Sequence, residues 1–268
     1  VEQLDAVEDR PRPHVAGIFE ESGVGARGEQ FLVGEEGDGL AAGAQVLGSV
    51  RHPLNTSDFS SFLLQAQASG AKVIGLGSAG ADTMNAVKQA QEFGIVDGGQ
   101  RLVAMLMVLN DIAGMGLDAA QGLYLSEAFY WDFNDGTRAW ARRFAEANNG
   151  RYPNMVHAGV YSSILHYLKT VNETKGAEDG VKVVEAMKAK PTDDPLFGRG
   201  SIRRDGRKIH DMYLFQVKTP DESKGPYDFY KLVGTVPAGV DPELDRARVG
   251  AEVPVGTVGE EGSGIHQR

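Results

Sequence analysis

Ala71-Lys72-Val73-Ile74-Gly75-Leu76, followed by the turn Gly77-Ser78-Ala79-Gly80 and the run Asp82-Thr83-Met84-Asn85-Ala86-Val87-Lys88-Gln89-Ala90, decides the fold. The first piece is a short apolar run bounded by turn residues, which reads as a buried strand. The last piece places Met84, Val87 and Ala90 on one helical face, and Gly94 supplies the stop. A strand that turns on glycines into a helix is half of a strand–helix–strand unit.

The same alternation continues on both sides. Upstream, Gln45 to His52 reads as a strand ended by Pro53. Asn55-Thr56-Ser57-Asp58 then offers N-cap groups for a helix from Phe59 to Ala68, with Ser69-Gly70 closing it. Downstream, the Asp97-Gly98-Gly99 turn leads to Leu102–Leu109, apolar on both faces as in the middle of a parallel sheet. Gly122 to Phe129 is a fourth strand. Together these predict a doubly wound α/β sheet.

The character changes after Phe129. A helix begins at Asp135, carries Trp140 and Phe144, and closes at Asn148-Asn149-Gly150. A second spans Ala158 to Val171, with Val160, Ile164, Leu168 and Val171 on one stripe, and a third runs from Val181 to Lys190. No strands alternate with these three, so they are expected to cover a sheet supplied from elsewhere. Gly198–Arg203 and His210–Lys218 flank Arg204-Asp205-Gly206-Arg207 as a hairpin. Residues 1–43 show broken apolar patterning, and residues 237–268 read as a loosely ordered tail.

Composition limits the function classes. The 268 residues carry a formal net charge of -10, against nucleic acid or an anionic membrane surface as partner. No cysteine is present, which excludes thiolate metal sites and a cysteine nucleophile. The longest apolar run, Leu102–Leu109, falls short of the roughly 20 residues a membrane span needs. The amino-terminal residues show no signal peptide.

Gly75-Leu76-Gly77-Ser78-Ala79-Gly80 has the G-x-G-x-x-G spacing of a dinucleotide turn, but the acid expected about 20 positions on is not at a strand end. Asp111 ends the next strand and comes too late. An NAD(P)-dependent oxidoreductase is therefore the runner-up. Ser78 lacks the G-x-S-x-G elbow of a nucleophile. The six histidines show no metal-ligand spacing.

Several stretches in order resemble the branched-chain amino-acid (Leu/Ile/Val-binding) type of ABC-transporter substrate-binding protein, with the periplasmic-binding-protein type I fold. They include Val46–Val50, Asp58–Ala66, Ser69–Leu76, Glu92-Phe93-Gly94-Ile95, Phe129–Asp132, Ala158–Ser162, Phe197–Gly200 and His210–Leu214. The resemblance covers about residues 44–233. It implies that 44–126 and 197–236 build a second, Rossmann-like ligand-binding lobe. It also implies that 127–196 are the helices of a first lobe whose strands normally precede everything seen here. An extracytoplasmic protein handing an amino-acid-like solute to permease subunits would follow, with no bond made or broken, no cofactor and no metal. The implied contacts are Ser78, Ala79 and Gly80 for an anionic group, Asp82 or Asp111 for an ammonium, and Tyr130, Trp131 and Tyr161 as walls. A fragment that folds without binding anything is the remaining alternative.

Overall fold

The computed structural model describes residues 14–21 and 45–238. The rest of the 1–43 segment and the tail from 239 lie outside the described residues. Seven strands form one sheet: β1 (His14–Glu21), β2 (Gln45–Pro53), β3 (Val73–Gly77), β4 (Arg101–Ala104), β5 (Tyr124–Glu127), β9 (Met212–Val217) and β10 (Tyr230–Val236). Their order is β10-β9-β5-β4-β3-β1-β2. The five strands β5, β4, β3, β1 and β2 run parallel; β9 pairs antiparallel with β5, and β10 antiparallel with β9.

β1 lies where the patterning is broken, yet it occupies an interior place between β2 and β3, with Ala16 and Ile18 buried. Gly17 interrupts its apolar alternation, so only the pairing partners reveal the strand. It belongs to the seven-stranded sheet and does not lie beneath the three late helices.

Helix α1 (Ser60–Ala68) follows β2, with the Asp58 carboxylate accepting the Ser60 amide at 2.9 Å. Helix α2 (Gly80–Glu92) buries Ala86, Val87 and Ala90 and stops at Gly94, whose φ of 64° is left-handed. The expected strand Leu102–Leu109 is shorter than its apolar run. Strand β4 ends at Ala104, and Leu109 opens helix α3 (Leu109–Met115), followed by α4 (Leu117–Ala120). Asp111 therefore sits in the first turn of α3 and not at a strand end. An unbroken apolar run carries no periodicity that marks its stop.

The late helices form as predicted with shifted ends: α5 (Asp135–Ala147), α6 (Met155–Thr174) and α7 (Gly180–Lys188). Asn134 caps α5 by accepting the Thr137 amide at 3.0 Å, and Asp179 caps α7 by accepting the Lys182 amide at 3.1 Å. A small second sheet joins β6 (Thr192–Asp194), β7 (Gly198–Ile202) and β8 (Lys208–Ile209). The hairpin across Arg203–Arg207 is thus β7–β8, and β9 leaves it for the large sheet.

Two cores result. The larger, with Ile74, Leu76, Leu102, Leu125 and Phe215, lies about the seven-stranded sheet. The smaller joins Phe129, Trp140, Ala158 and Leu196 among the late helices.

Candidate functional site

A cavity of about 670 Å³ opens between the start of α3 and the α5–α6 connection. Asn110, Asp111 and Gly114 line it from one side. Asn148, Arg151, Tyr152, Asn154 and His157 line it from the other, and Tyr227 completes the wall. The two sides come from the two regions that the sequence separates, the alternating one and the helical one.

Local chemistry sets the geometry. Asn154 is the N-cap of α6: its side-chain oxygen accepts the Val156 and His157 amides at 3.0 and 3.2 Å. Its amide nitrogen donates to Asn110 Oδ1 at 2.6 Å, and Asn110 donates to the Tyr152 carbonyl at 3.2 Å. These two amides tie α3 to α6. Asp111 Oδ2 accepts the Val108 amide at 3.0 Å, and the Asp111 amide donates to the Val108 carbonyl at 2.9 Å, which fixes the α3 start. Tyr152 stacks on Tyr227 with ring centres 5.0 Å apart, and Trp131 meets Tyr152 edge-on at 4.8 Å.

Glu127 lies where β5 ends and is fully buried. It accepts the Tyr230 hydroxyl at 2.8 Å and the Met155 amide at 3.3 Å, bridging β5, β10 and α6. Burial pushes its carboxyl up to about 8, with only partial relief from the hydrogen bonds of Tyr230 and the Met155 and Leu109 amides, and with Asp111 adding to the rise. Burial thus biases this carboxyl toward its protonated form. Burial likewise raises the Tyr230 hydroxyl well above its usual range, and the adjoining Glu127 carboxyl reinforces that.

The residues expected at the site separate into groups. Asp111 lines the cavity. Tyr130 and Trp131 stand behind it. The Tyr130 hydroxyl and the Trp131 ring nitrogen both donate to the Tyr227 carbonyl, at 3.1 and 2.8 Å, and Tyr227 holds a left-handed φ of 63° between them. Tyr130 is otherwise a core ring, packed on Phe133, Phe215 and Tyr230. Burial raises its hydroxyl pKa. Tyr161 lines a different groove with Trp140, Phe144 and Val160.

The Ser78–Asp82 turn is engaged locally. The Ser78 and Thr83 hydroxyls are 2.9 Å apart, and Asp82 accepts the Asn55 amide at 2.9 Å. Ala79 and Gly80 are exposed at the α2 start. Asn110, Arg151, Tyr152, Asn154 and Tyr227 escaped the sequence reading. The Asn154 cap before a long helix was the one signal that could have found any of them.

The description "periplasmic binding protein" belongs to the family model that matches residues 39–226. A periplasmic binding protein of Burkholderia mallei is 43% identical, with a TM-score of 0.74, over 84% of this chain and 58% of its own. A branched-chain amino-acid ABC-transporter periplasmic ligand-binding protein of Burkholderia xenovorans is 38% identical, with a TM-score of 0.75, over 84% and 59%. The curated relative "Leu/Ile/Val-binding protein homolog 6" of Brucella melitensis is 27% identical over 76% of this chain and 52% of its own. The chain thus spans between half and three fifths of the length of these relatives. A match over most of the chain, on a mixed parallel sheet of the type I-like form, makes this protein a member of the periplasmic binding protein family.

Proposed function

We propose that the chain belongs to the solute-binding component of an ABC importer, which holds an amino acid or a similar small polar solute between two lobes and presents it to a permease. The cavity between α3 and the α5–α6 connection carries this reading, because it sets a carboxylate and a guanidinium, Asp111 and Arg151, around one polar space. A zwitterion needs one anionic and one cationic or N–H partner and a wall for its side chain. Asp111 would take the ammonium, Arg151 the carboxylate, and the Tyr152–Tyr227 stack the side chain. The exposed start of α2 at Ala79 and Gly80 offers a further anion contact, with Ser78 beneath it.

Closing the two sides on a solute shifts the population toward the form that docks on the permease. An extracytoplasmic location follows from that role. The 38%-identical Burkholderia xenovorans relative, a branched-chain amino-acid protein by description, favours this solute class.

Isothermal calorimetry with a panel of amino acids tests the proposal. Binding of at least one that weakens about tenfold or more in both Asp111→Ala and Arg151→Ala is the expected result. No binding across the panel, or binding indifferent to both substitutions, would overturn it. Titration with NAD and NADP runs alongside, and binding there would favour the oxidoreductase reading of the Gly75–Gly80 turn.

A further inference from the structure

Gly225-Pro226-Tyr227-Asp228 makes a tight turn between β9 and β10, closed by the Asp228 amide donating to the Gly225 carbonyl at 3.2 Å. Proline second and a positive φ third is the pattern of a type II turn, whose third position favours glycine or asparagine. Here the third residue is Tyr227, with a φ of 63°. The other described non-glycine residues with positive φ are Asn55, Asn149 and Lys175, the last ending α6. A bulky side chain in the left-handed region costs backbone energy and persists only where its surroundings hold it.

The surroundings of Tyr227 do so from both flanks. Asp228 pairs with Lys218 and accepts the Lys224 amide at 2.9 Å, while the Lys218 amide donates to the Phe229 carbonyl at 2.8 Å. The Tyr227 carbonyl accepts the Tyr130 hydroxyl and the Trp131 ring nitrogen. Glycine would make the same turn and offer the same carbonyl without the backbone cost. What glycine lacks is the ring, which stacks on Tyr152 with 22° between planes and lines the cavity.

The two donors hold a particular place in the fold. Phe129 is buried in the smaller core and Tyr130, the next residue, in the larger; Trp131 packs against both. Residues 129–131 are therefore a junction between the cores. Tyr227 meets the cavity with its ring and this junction with its backbone. A solute pressed against the ring favours one arrangement of that backbone over others, and the carbonyl moves with it.

We propose that Tyr227 is a positioning residue of the site: its ring meets the solute, and its carbonyl carries that contact to Tyr130 and Trp131 at the junction of the two cores. The proposal rests on the cavity being the solute site.

The chain has two tryptophans, so its nitrogen-15 NMR spectrum holds two indole N–H signals, and Trp140→Phe identifies that of Trp131. The probe is the calorimetry panel of L-amino acids, with leucine, isoleucine and valine included. An amino acid that binds should shift the Trp131 signal. Tyr227→Gly keeps the turn and the carbonyl, so the signal of the free protein should stay near its original position. Affinity should fall about tenfold or more, and at saturation the signal should no longer shift. Tyr227→Phe keeps the ring and should restore both. Tyr227→Asn repeats the Gly test with a second residue that tolerates positive φ, and circular dichroism checks that each variant folds.

Three results would overturn the proposal while leaving the cavity as solute site: a bound amino acid that leaves the Trp131 signal unmoved, an equal shift in Tyr227→Gly, or a Tyr227→Gly protein that melts lower yet binds with unchanged affinity. Absence of binding to the unaltered chain is a distinct result, which overturns the solute reading itself and this proposal with it.

Discussion

Replacing Glu127 by Gln removes a fully buried carboxyl whose pKa burial raises. In the unfolded chain this group ionises near 4.5, and in the folded protein at about 8. Between those values the folded state keeps a proton that the unfolded state has released, so stability falls as pH rises. The contribution is complete below 4.5 and gone above about 8. At about 1.4 kcal/mol per pH unit, the full loss is about 5 kcal/mol, and roughly 2–3 kcal/mol of it falls between pH 5 and pH 7. Gln keeps the shape: its amide can donate to the Tyr230 oxygen while its carbonyl accepts the Met155 amide. Urea denaturation of both proteins at pH 5, 6, 7 and 8 isolates the effect, because every other titrating group is common to the two. The stability difference should move in favour of Glu127→Gln by about 2 kcal/mol or more from pH 5 to pH 7. A difference constant across the series would show that the carboxyl is already ionised in the fold, and the reasoning would fail.

Three further outcomes are expected. Lys208 Nζ lies 3.0 Å from Asp194, whose side chain is 3% exposed, so Lys208→Met should cost about 3 kcal/mol in urea denaturation by stranding a buried charge. Burial alone would raise the Asp194 carboxyl, but Ser162, Lys208 and the Phe197 and Leu196 amides outweigh it and hold it below 3.8, so its share of stability is present above that value and is lost as acid protonates it. At Gly200 in β7 a Cβ would come 2.5 Å from the Ile209 carbonyl oxygen and 2.9 Å from Thr192 Oγ1, so Gly200→Ala should lower stability by about 1–3 kcal/mol through forced strand displacement. Asn154→Ala should cost about 1–2 kcal/mol and raise hydrogen exchange at the Val156 and His157 amides, since the α6 cap and the tie to Asn110 go together.

The elements most legible in the sequence were those whose signals are local. The β3–α2 unit shows a buried run, a glycine turn and a stop at Gly94, each set by neighbours a few residues away. The late helices were legible for the same reason, through the spacing of Val160, Ile164 and Leu168 and the stop at Asn148-Asn149-Gly150. Which way that stripe would face was not legible, because periodicity identifies a face without naming its partner.

Only the tertiary structure decided the rest. β1 is a strand because β2 and β3 pair with it on both sides, and hydrogen bonding across 30 or more residues leaves no trace in local pattern. Asp111 moved from a strand end to a helix start because Met107 and Leu109 can be buried by either backbone form. The candidate site was hardest to read, since Asp111, Arg151 and Tyr227 lie far apart in the chain and only the fold brings them around one cavity. Sequence by itself fixed the alternating α/β class and the presence of three strandless helices, because backbone preference and amphipathic spacing act over a few residues. Packing decided register, the raised pKa of Glu127 and the make-up of the cavity, because burial and long-range contact exist only once the chain has closed on itself.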